Sequence, residues 1–173
     1  LCPANQAELE QMLRRAVLEM KGPVAVRYPR GGDGAFVDCA ASPLLRAGKD
    51  ITLVSYGKLI NQVLAAAALL ERQGISAEVI KLPAVKPIDM SAIRASVRKT
   101  GNLLVAEETV RIGCAGKEIA ASLRAGGMNP RIRLCNVGDR FVPQGTINDL
   151  YRLLGLDAES LAKAAMEVLQ REA

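Results

Sequence analysis

Histidine and tryptophan are absent from the 173 residues of the chain, and only three tyrosines and two phenylalanines supply aromatic side chains. Without histidine the chain has no imidazole general base and few options for a zinc site, and Ser55 lacks the partner that a hydrolase nucleophile needs. The four cysteines, Cys2, Cys39, Cys114 and Cys135, show no C-x-x-C spacing. We therefore expect reduced thiols, some of them in the core, and no metal site.

Nucleotide-binding fingerprints and long hydrophobic runs are also missing. No predicted strand is followed by G-x-G-x-x-G, and there is no P-loop. The longest apolar run, residues 63–70, is far too short to cross a membrane, and no signal-peptide pattern is present. The net charge of +5 would suit an anionic partner, but the chain has no dense run of Lys and Arg. These features predict a cytoplasmic protein that binds neither nucleic acid nor a membrane.

One stretch in the middle of the chain predicts a strand, a helix and a second strand. Residues 51–54 form a short apolar run rich in β-branched side chains, which is typical of a strand covered on both faces in a parallel sheet. Apolar side chains then recur at helical spacing from Leu59 to Leu70, and Gly74 follows where a left-handed helix cap would lie. Residues 77–80 supply the second strand. Because crossovers between parallel strands are right-handed, this unit predicts an α/β fold.

The same pattern repeats along the rest of the chain. Predicted strands begin near residues 51, 77, 102 and 132, and each interval has the length of a strand plus a crossover helix. Asp89 and Asp157 are placed to cap two of the helices. In residues 132–135 apolar side chains alternate with arginine, as they do in an edge strand. The sequence therefore predicts a three-layer α/β/α fold with a mostly parallel sheet.

The first part of the chain is organised differently. Residues 6–20 predict an amphipathic helix that ends before Gly22 and Pro23, and residues 24–26 predict a brief strand. One helix and one strand cannot cover each other's apolar faces, so this part is interpreted as belonging to a larger unit. The predicted division is residues 1–34 as the helix-strand tail of an upstream pyrimidine-binding domain, residues 35–43 as a linker, and residues 44–173 as the main domain.

Ligands of open parallel sheets bind beyond the carboxyl ends of the strands. In this chain the segments 55–57, 107–108 and 136–145 fall there. The adjacent carboxylates of Glu107 and Glu108 could serve acid/base chemistry or bind a metal, but neighbouring side chains in a strand point to opposite faces. Hydrogen bonding between domains or helix capping is the alternative role.

The stretch RYPRG at residues 27–31 has the strongest chemical pattern in the chain. Proline restricts Tyr28 before it and fixes its own φ, so Arg30 follows a stiffened strand exit, and the glycines beyond it let a ligand approach the backbone. A guanidinium held in this way suits a phosphate monoester or a carboxylate. The alternative is a pair of surface arginines at the end of a strand.

A second pattern imitates a signature for binding thiamin diphosphate. The tripeptide Gly-Asp-Gly at residues 32–34 is followed by Asn61. Such a site needs the aspartate at a strand end and the asparagine in a facing loop, where both can approach Mg²⁺ and a diphosphate. Asn61 falls inside the predicted first helix of the main domain, so we interpret residues 32–34 as a flexible turn.

Five motifs carry a family resemblance, and they are distributed over essentially the whole chain. They are GPVAVRYPRG at residues 22–31, KPID at 86–89, VAEE at 105–108, DRFVPQGT at 139–146 and LGLDA at 154–158. With them the sequence resembles the C-terminal portion of the 1-deoxy-D-xylulose-5-phosphate synthase family, which belongs to the transketolase superfamily and depends on thiamin diphosphate. Transketolase proper and the β subunits of 2-oxoacid dehydrogenases are similar in fold, but they lack the pairing of RYPRG with D-x-F-x-P-Q-G.

The resemblance implies a transketolase-type C-terminal domain in residues 44–173. It also implies a transferase that condenses pyruvate with glyceraldehyde 3-phosphate with loss of CO₂, in the biosynthesis of isoprenoid precursors, thiamin and pyridoxal. Thiamin diphosphate and Mg²⁺ would be cofactors of the full-length enzyme, a homodimer whose upstream domains contact this segment. By resemblance Arg30 binds the phosphate of glyceraldehyde 3-phosphate. Catalytic, cofactor-binding and metal-binding residues of the family lie upstream, so none is expected here. The segment alone is expected neither to bind the cofactor nor to be active.

Two alternatives stay open from the sequence. The chain could be the C-terminal section of another transketolase-like enzyme, namely a transketolase or a 2-oxoacid dehydrogenase β subunit, or an interaction module without activity. Apolar side chains of residues 1–34 have no partner within their own segment. We expect them to pack on another copy of the chain, on residues 44–173 or on an upstream segment, with a symmetric dimer as the favoured form.

Overall fold

The computed structural model describes residues 1–28 and 43–170 of the chain. Within these ranges the helices are α1 (Gln6–Leu18), α2 (Ile60–Glu71), α3 (Ser91–Thr100), α4 (Ala115–Ala125), α5 (Ile147–Leu154) and α6 (Ala158–Gln170). The strands are β1 (Leu44–Arg46), β2 (Ile51–Ser55), β3 (Ala77–Lys81), β4 (Asn102–Ala106) and β5 (Arg131–Cys135).

The five strands form one sheet in the order β1-β3-β2-β4-β5. Strands β2, β3, β4 and β5 run parallel, and β1 joins the edge of β3 antiparallel. Helices α2 and α6 pack on one face of the sheet, and α3 and α4 pack on the other. The predicted three-layer α/β/α arrangement with a mostly parallel sheet is confirmed.

Strand β2 lies at the centre of the sheet, and all five of its residues are buried. Leu53 packs in the core beneath α2 and α6, and Val54 packs in the core beneath α3 and α4. The hydroxyl of Thr52 would be costly to bury alone, but it lies 2.6 Å from the Ser96 hydroxyl and 2.8 Å from the Thr100 hydroxyl of α3. A hydrogen-bonded hydroxyl cluster thus fixes α3 on an otherwise apolar face.

Several boundaries expected from the sequence are confirmed. Gly74 has a φ of +78°, which is the left-handed conformation that favours glycine after a helix. The Asp89 carboxylate accepts a hydrogen bond from Ser91 N at 2.9 Å, and Asp157 accepts one from Ser160 N at 3.1 Å. Strand β5 is the half-exposed edge strand that its alternating pattern predicted.

The strand predicted at residues 24–26 is wrong, because the structure has no strand there. The backbone of residues 25–27 pairs with one residue, Leu1. The Leu1 amino group donates to Ala25 O at 2.8 Å, and Arg27 N donates to Leu1 O at 2.9 Å. A strand needs a ladder of such pairs along a partner strand. The opposite error concerns β1, where no strand was predicted, because its three residues are too few to show a periodicity.

Residues 1–28 pack on the α/β unit through their first eight residues. Cys2 N donates to Pro83 O at 2.9 Å, and the side chains of Cys2 and Ala4 are buried in the two cores. The carboxylate of Glu8 in α1 forms a buried ion pair with Lys81 at the end of β3. Packing on residues 44–173, one of the three expected arrangements, is therefore found for this part of the chain.

The opposite side of α1 remains in contact with solvent. Leu13, Val17 and Leu18 are exposed apolar side chains, and Val17 keeps 79% of its surface accessible. The predicted amphipathic helix is thus present, but its apolar residues are only partly covered within the described residues. None of the described helices combines the length and the apolar composition needed to cross a membrane.

The Glu8–Lys81 pair makes a testable contribution to stability. Burial lowers the pKa of Lys81 to about 8, and the adjacent carboxylate favours its charged form at neutral pH. Glu8→Gln removes the carboxylate that faces this buried ammonium, so we expect a loss of about 3–5 kcal/mol in the free energy of unfolding. Urea unfolding followed by circular dichroism measures this loss.

Glu10→Gln is the matched control, because the side chain of Glu10 is 77% exposed on the same helix. It should change the free energy of unfolding by less than about 0.5 kcal/mol. Equal unfolding midpoints for the two variants would show that the buried pair does not hold α1 on the sheet.

Candidate functional site

The carboxyl edge of the sheet has a position where the strand order reverses. From β2 the chain first crosses to β3 on one side, and then returns to β4 on the other side of β2. Ligands of open α/β sheets bind in the crevice that such a reversal creates. Here the crevice lies between the segment that starts at Tyr56, after β2, and the segment that starts at Glu107, after β4.

The Glu107 side chain is buried in this crevice and accepts hydrogen bonds from three donors. Ala115 N donates to Oε2 at 2.9 Å and Gly116 N donates to Oε1 at 2.8 Å, while the Tyr56 hydroxyl donates to Oε2 at 3.0 Å. The two amides belong to the first turn of α4, whose positive dipole end favours a carboxylate. Of the roles considered for Glu107, the geometry shows helix capping.

Glu108 points away from Glu107, as expected for neighbouring residues at a strand end. Its Oε1 atom accepts a hydrogen bond from the Tyr151 hydroxyl of α5 at 2.7 Å. Its backbone carbonyl accepts a hydrogen bond from Arg27 Nη2 at 3.1 Å. The two carboxylates therefore secure helices on opposite faces of the sheet and do not converge on one ligand.

Arg27 connects the N-terminal segment to both sides of the crevice. Besides the Glu108 carbonyl, its guanidinium carbon lies 6.0 Å from the centre of the Tyr56 ring, within the range of a cation–π contact. The guanidinium also lies close to Gly57, since a Cβ atom at that position would be 3.8 Å from Arg27 Nη1, in ordinary van der Waals contact. The guanidinium thus bridges the residues that follow β2 and β4.

The two tyrosine hydroxyls in this network act as donors. Burial raises the pKa of Tyr56 above its ordinary value, and the Glu107 carboxylate raises it further. Burial and the Glu108 carboxylate have the same effect on the pKa of Tyr151. Both phenols therefore stay protonated at neutral pH, and each can keep its hydrogen bond to a carboxylate.

An open cleft of about 820 Å³ adjoins this network. One wall is the loop between β3 and α3, at residues 85–90, and the other is the start of α4. Arg27, Tyr56 and Lys86 are among its lining residues, together with the carboxylate-bearing Glu118. Its volume suits a small molecule.

The residue predicted to bind phosphate, Arg30, lies outside the described residues. Of the RYPRG stretch the structure describes Arg27 and the exposed Tyr28. The Gly-Asp-Gly of residues 32–34 also lies outside them. Asn61 is described, and its Nδ2 atom donates to Lys58 O at 3.0 Å within the start of α2, so its predicted place in a helix is confirmed.

The loop after β5 is linked to the loop after β4. Arg111 Nε donates to Asp139 Oδ2 at 3.0 Å, and Val137 N donates to Thr109 O at 3.0 Å. The loop then exposes Phe141 completely before α5 begins. No group of three His, Cys, Asp or Glu side chains in the described part of the chain could hold a metal ion.

Cys2, Cys114 and Cys135 are free thiols, and the first two are buried. Burial raises the pKa of each thiol. Buried thiols in the core are therefore found as expected at two positions, and Cys39 lies outside the described residues.

Comparison with known families identifies the α/β unit. Residues 41–161 match the family described as transketolase, C-terminal domain. The chain belongs to this family. The observed sheet, with helices on both faces, is the fold that the resemblance in sequence predicted.

Curated relatives of this transketolase C-terminal domain narrow the resemblance further. The chain is 37% identical to the 1-deoxy-D-xylulose-5-phosphate synthase of Heliobacterium modesticaldum, over 97% of the chain and 27% of the relative. It is 35% identical to the synthase of Gloeobacter violaceus, over 99% of the chain and 28% of the relative. The chain thus spans little more than a quarter of the length of these relatives, and the predicted resemblance to a C-terminal portion is confirmed.

A solved structure with the same architecture is described as a split gene transketolase, inactive beta4 tetramer. It superposes on 99% of the chain with a TM-score of 0.86 and 30% sequence identity, and the match covers 58% of that protein's chain. Because the match includes nearly the whole chain, the N-terminal segment and the α/β unit both have counterparts in that structure.

Three residues of this hydrogen-bonded site, Arg27, Tyr56 and Tyr151, were not predicted from the sequence as individual functional residues. Arg27 was noted only as part of RYPRG, Tyr56 only as part of a strand-end segment, and Tyr151 was not noted. A signal was present for the tyrosines, because a buried phenol needs a hydrogen-bond partner and the chain contains only three tyrosines. The identity of that partner depends on the strand order.

The capping role of Glu107 predicts a specific loss of stability. In Glu107→Gln one acceptor oxygen becomes an NH₂ group that faces donors of α4 or Tyr56. We expect the free energy of unfolding to fall by about 1–3 kcal/mol, because a buried donor loses its acceptor. Thermal unfolding monitored by circular dichroism measures the change.

Glu108→Gln is the matched control at the adjacent position, since a glutamine Oε1 still accepts from Tyr151. Its effect should be about 0.5 kcal/mol or less. A greater loss in Glu108→Gln than in Glu107→Gln would contradict the assignment of Glu107 as the main cap.

Proposed function

We propose that this chain is the C-terminal portion of a 1-deoxy-D-xylulose-5-phosphate synthase. The whole enzyme would condense pyruvate with glyceraldehyde 3-phosphate and release CO₂, in the supply of isoprenoid precursors, thiamin and pyridoxal. The observation that carries the proposal is the 37% identity to a curated synthase over 97% of the chain. Such a match includes both the RYPRG stretch and the α/β unit.

The chain's own part in this reaction would be to bind the substrate phosphate through Arg30. A guanidinium presents paired N–H donors that match two oxygens of a phosphate. The structure supports this role through Arg27, which is fixed at the carboxyl edge of the sheet. Arg30 is three positions after Arg27 in the sequence, and three residues of extended chain reach at most about 11 Å.

Thiamin diphosphate and Mg²⁺ would be cofactors of the whole enzyme, but the described residues do not fit them. The Glu107 carboxylate already accepts hydrogen bonds from three donors, and the Asn61 side-chain amide donates to Lys58 O at the start of its own helix. The proposed contribution of this chain is therefore one phosphate-binding arginine together with surfaces for assembly. Upstream domains and a second copy, in a cytoplasmic homodimer, would be its partners.

Arg30→Ala tests this role in the full-length enzyme that carries this sequence. Losing a charge-assisted contact of about 1.5–3 kcal/mol should raise the KM for glyceraldehyde 3-phosphate roughly ten- to a hundredfold. The KM for pyruvate should change little, because pyruvate has no phosphate. Steady-state kinetics with each substrate varied in turn give both values.

Arg124→Ala, at an exposed arginine of α4, is the control for the loss of one positive charge. It should leave both KM values unchanged. If Arg30→Ala raises the two KM values equally, a structural role for Arg30 replaces the proposed one.

A second candidate function is an assembly module without activity of its own. The observation in its favour is the solved neighbour with a TM-score of 0.86, which is described as an inactive beta4 tetramer. The two functions are compatible, because the C-terminal portion of an enzyme can provide assembly contacts without binding the cofactor.

Isothermal titration calorimetry on the 173-residue chain tests this second function. We expect no heat of binding when thiamin diphosphate is added with Mg²⁺, because the described residues offer no site for the diphosphate. Light scattering on the same sample reports whether the chain assembles. Micromolar binding of the cofactor would exclude a role confined to assembly.

A further inference from the structure

The open cleft between the β3–α3 loop and the start of α4 has no part in the proposed function. Its volume is about 820 Å³. Tyr56, which follows β2, and Thr109, which follows β4, both line it, so the cleft opens where the strand order reverses. Open α/β sheets bind their ligands at this position, and a pocket of this size can enclose a small organic molecule.

The walls of the cleft are apolar and held in place. Val85 and Ile88 come from the β3–α3 loop, and Ala115 is the first residue of α4. All three are half-buried, because they pack against the core on this face of the sheet. Beside the cleft, Arg94 Nη2 of α3 donates to Ser122 Oγ of α4 at 2.9 Å and joins the two helices. The walls are therefore formed without a ligand, and an apolar body can pack on them at little conformational cost.

Arg27 presents a fixed guanidinium to the cleft with most of its donors unused. Its Nη2 atom donates to Glu108 O at 3.1 Å, and the group lies over the Tyr56 ring. A guanidinium carries five N–H donors, and the described residues supply this side chain with no other hydrogen-bond acceptor. The group is thus held in position and can still bind an anion through paired N–H donors.

Two further charged side chains line the cleft. Lys86 is an exposed cation of the β3–α3 loop, and Glu118 is a carboxylate in the first turn of α4. Neither Arg27 nor Lys86 forms an ion pair with any residue of the described ranges. The charge of the nearby Glu107 is offset by the amides at the start of α4. Two cations and one carboxylate among the described lining residues leave one positive charge, which favours an anionic ligand.

We propose that this cleft binds a small organic anion. Its apolar body packs between Val85, Ile88 and Ala115, and its carboxylate or phosphate group accepts hydrogen bonds from Arg27 and Lys86. Charge-assisted hydrogen bonds from a guanidinium already fixed in place give such a group both affinity and orientation. The inference concerns the described residues alone, and it does not depend on the proposed function.

Three probes separate the two parts of this recognition, namely phenyl phosphate, phenol and inorganic phosphate. Each is titrated into the ¹⁵N-labelled 173-residue chain and followed by NMR chemical shifts. Phenyl phosphate should shift the backbone amides of Val85, Ile88 and Ala115 in a saturable way, with a Kd of about 1 mM or less. Phenol lacks the anion and inorganic phosphate lacks the apolar body, so each should bind at least about tenfold more weakly. Equal affinity for phenol and phenyl phosphate, or no saturable shift at these amides, would overturn the proposal.

Two variants should change the affinity for phenyl phosphate in opposite directions. Arg27→Met removes a cation and its donors and should weaken binding about tenfold. Glu118→Gln removes the carboxylate that lines the cleft and should tighten binding about two- to fivefold. Arg14→Met is the control, because the side chain of Arg14 is 69% exposed on α1, and it should leave the affinity unchanged. A shift in the same direction in Arg27→Met and Glu118→Gln would contradict an anion site.

A second pair of variants keeps the test decisive if Arg27→Met does not fold. Lys86→Met removes an exposed charge and should weaken binding of phenyl phosphate about threefold. Ala115→Leu fills the cleft but keeps the backbone N–H that donates to Glu107, so the saturable shifts should be lost. Circular dichroism verifies that both variants are folded. Unchanged affinity in either folded variant would overturn the proposal.

Discussion

The buried carboxylate of Glu107 is the interaction on which the carboxyl edge of this domain depends. A carboxylate without water must be hydrogen-bonded, and here Ala115 N, Gly116 N and the Tyr56 hydroxyl meet that requirement. Position 116 must lack a side chain as a result, because a Cβ there would lie 2.7 Å from Glu107 Oε1. One side chain therefore sets where α4 begins and how the ring of Tyr56 is oriented, and Arg27 is placed by that ring.

A second buried carboxylate, that of Glu8, joins the N-terminal segment to the same sheet. Its partner Lys81 is the last residue of β3, so this contact lies at the same edge of the sheet as the contacts of Arg27. Buried ion pairs add little net stability compared with apolar packing, but removing one partner is costly, and the pair therefore favours one arrangement of α1 over others. Residues 1–28 are thus held by a few specific polar contacts and by the buried side chains of Cys2 and Ala4, while the described residues leave much of the apolar surface of α1 exposed.

The candidate site could be predicted only in part. RYPRG indicated an anion-binding arginine from its residue types. Proline restricts the backbone before the arginine, and glycine after it leaves room for a ligand. Glu107 and Glu108 were placed at a strand end, and their divergence followed from the period of a strand. Their donors could not be named, since Tyr151 is 43 residues away from Glu108 and contacts it only after α5 has folded back on the sheet.

The sequence by itself determined the elements of the α/β unit from β2 onwards, because strand and helix periods, caps such as Asp157 and the burial of a central strand are encoded within a few neighbouring residues. It failed at residues 24–26 and at β1, where pairing with a distant segment decides whether extended chain becomes a strand. Only the tertiary structure brought Lys81 to Glu8 across 73 residues and Arg27 to the Glu108 carbonyl across 81. The physical reason is that such contacts depend on the order of the strands and on the face that each crossover takes, and no local period carries that information.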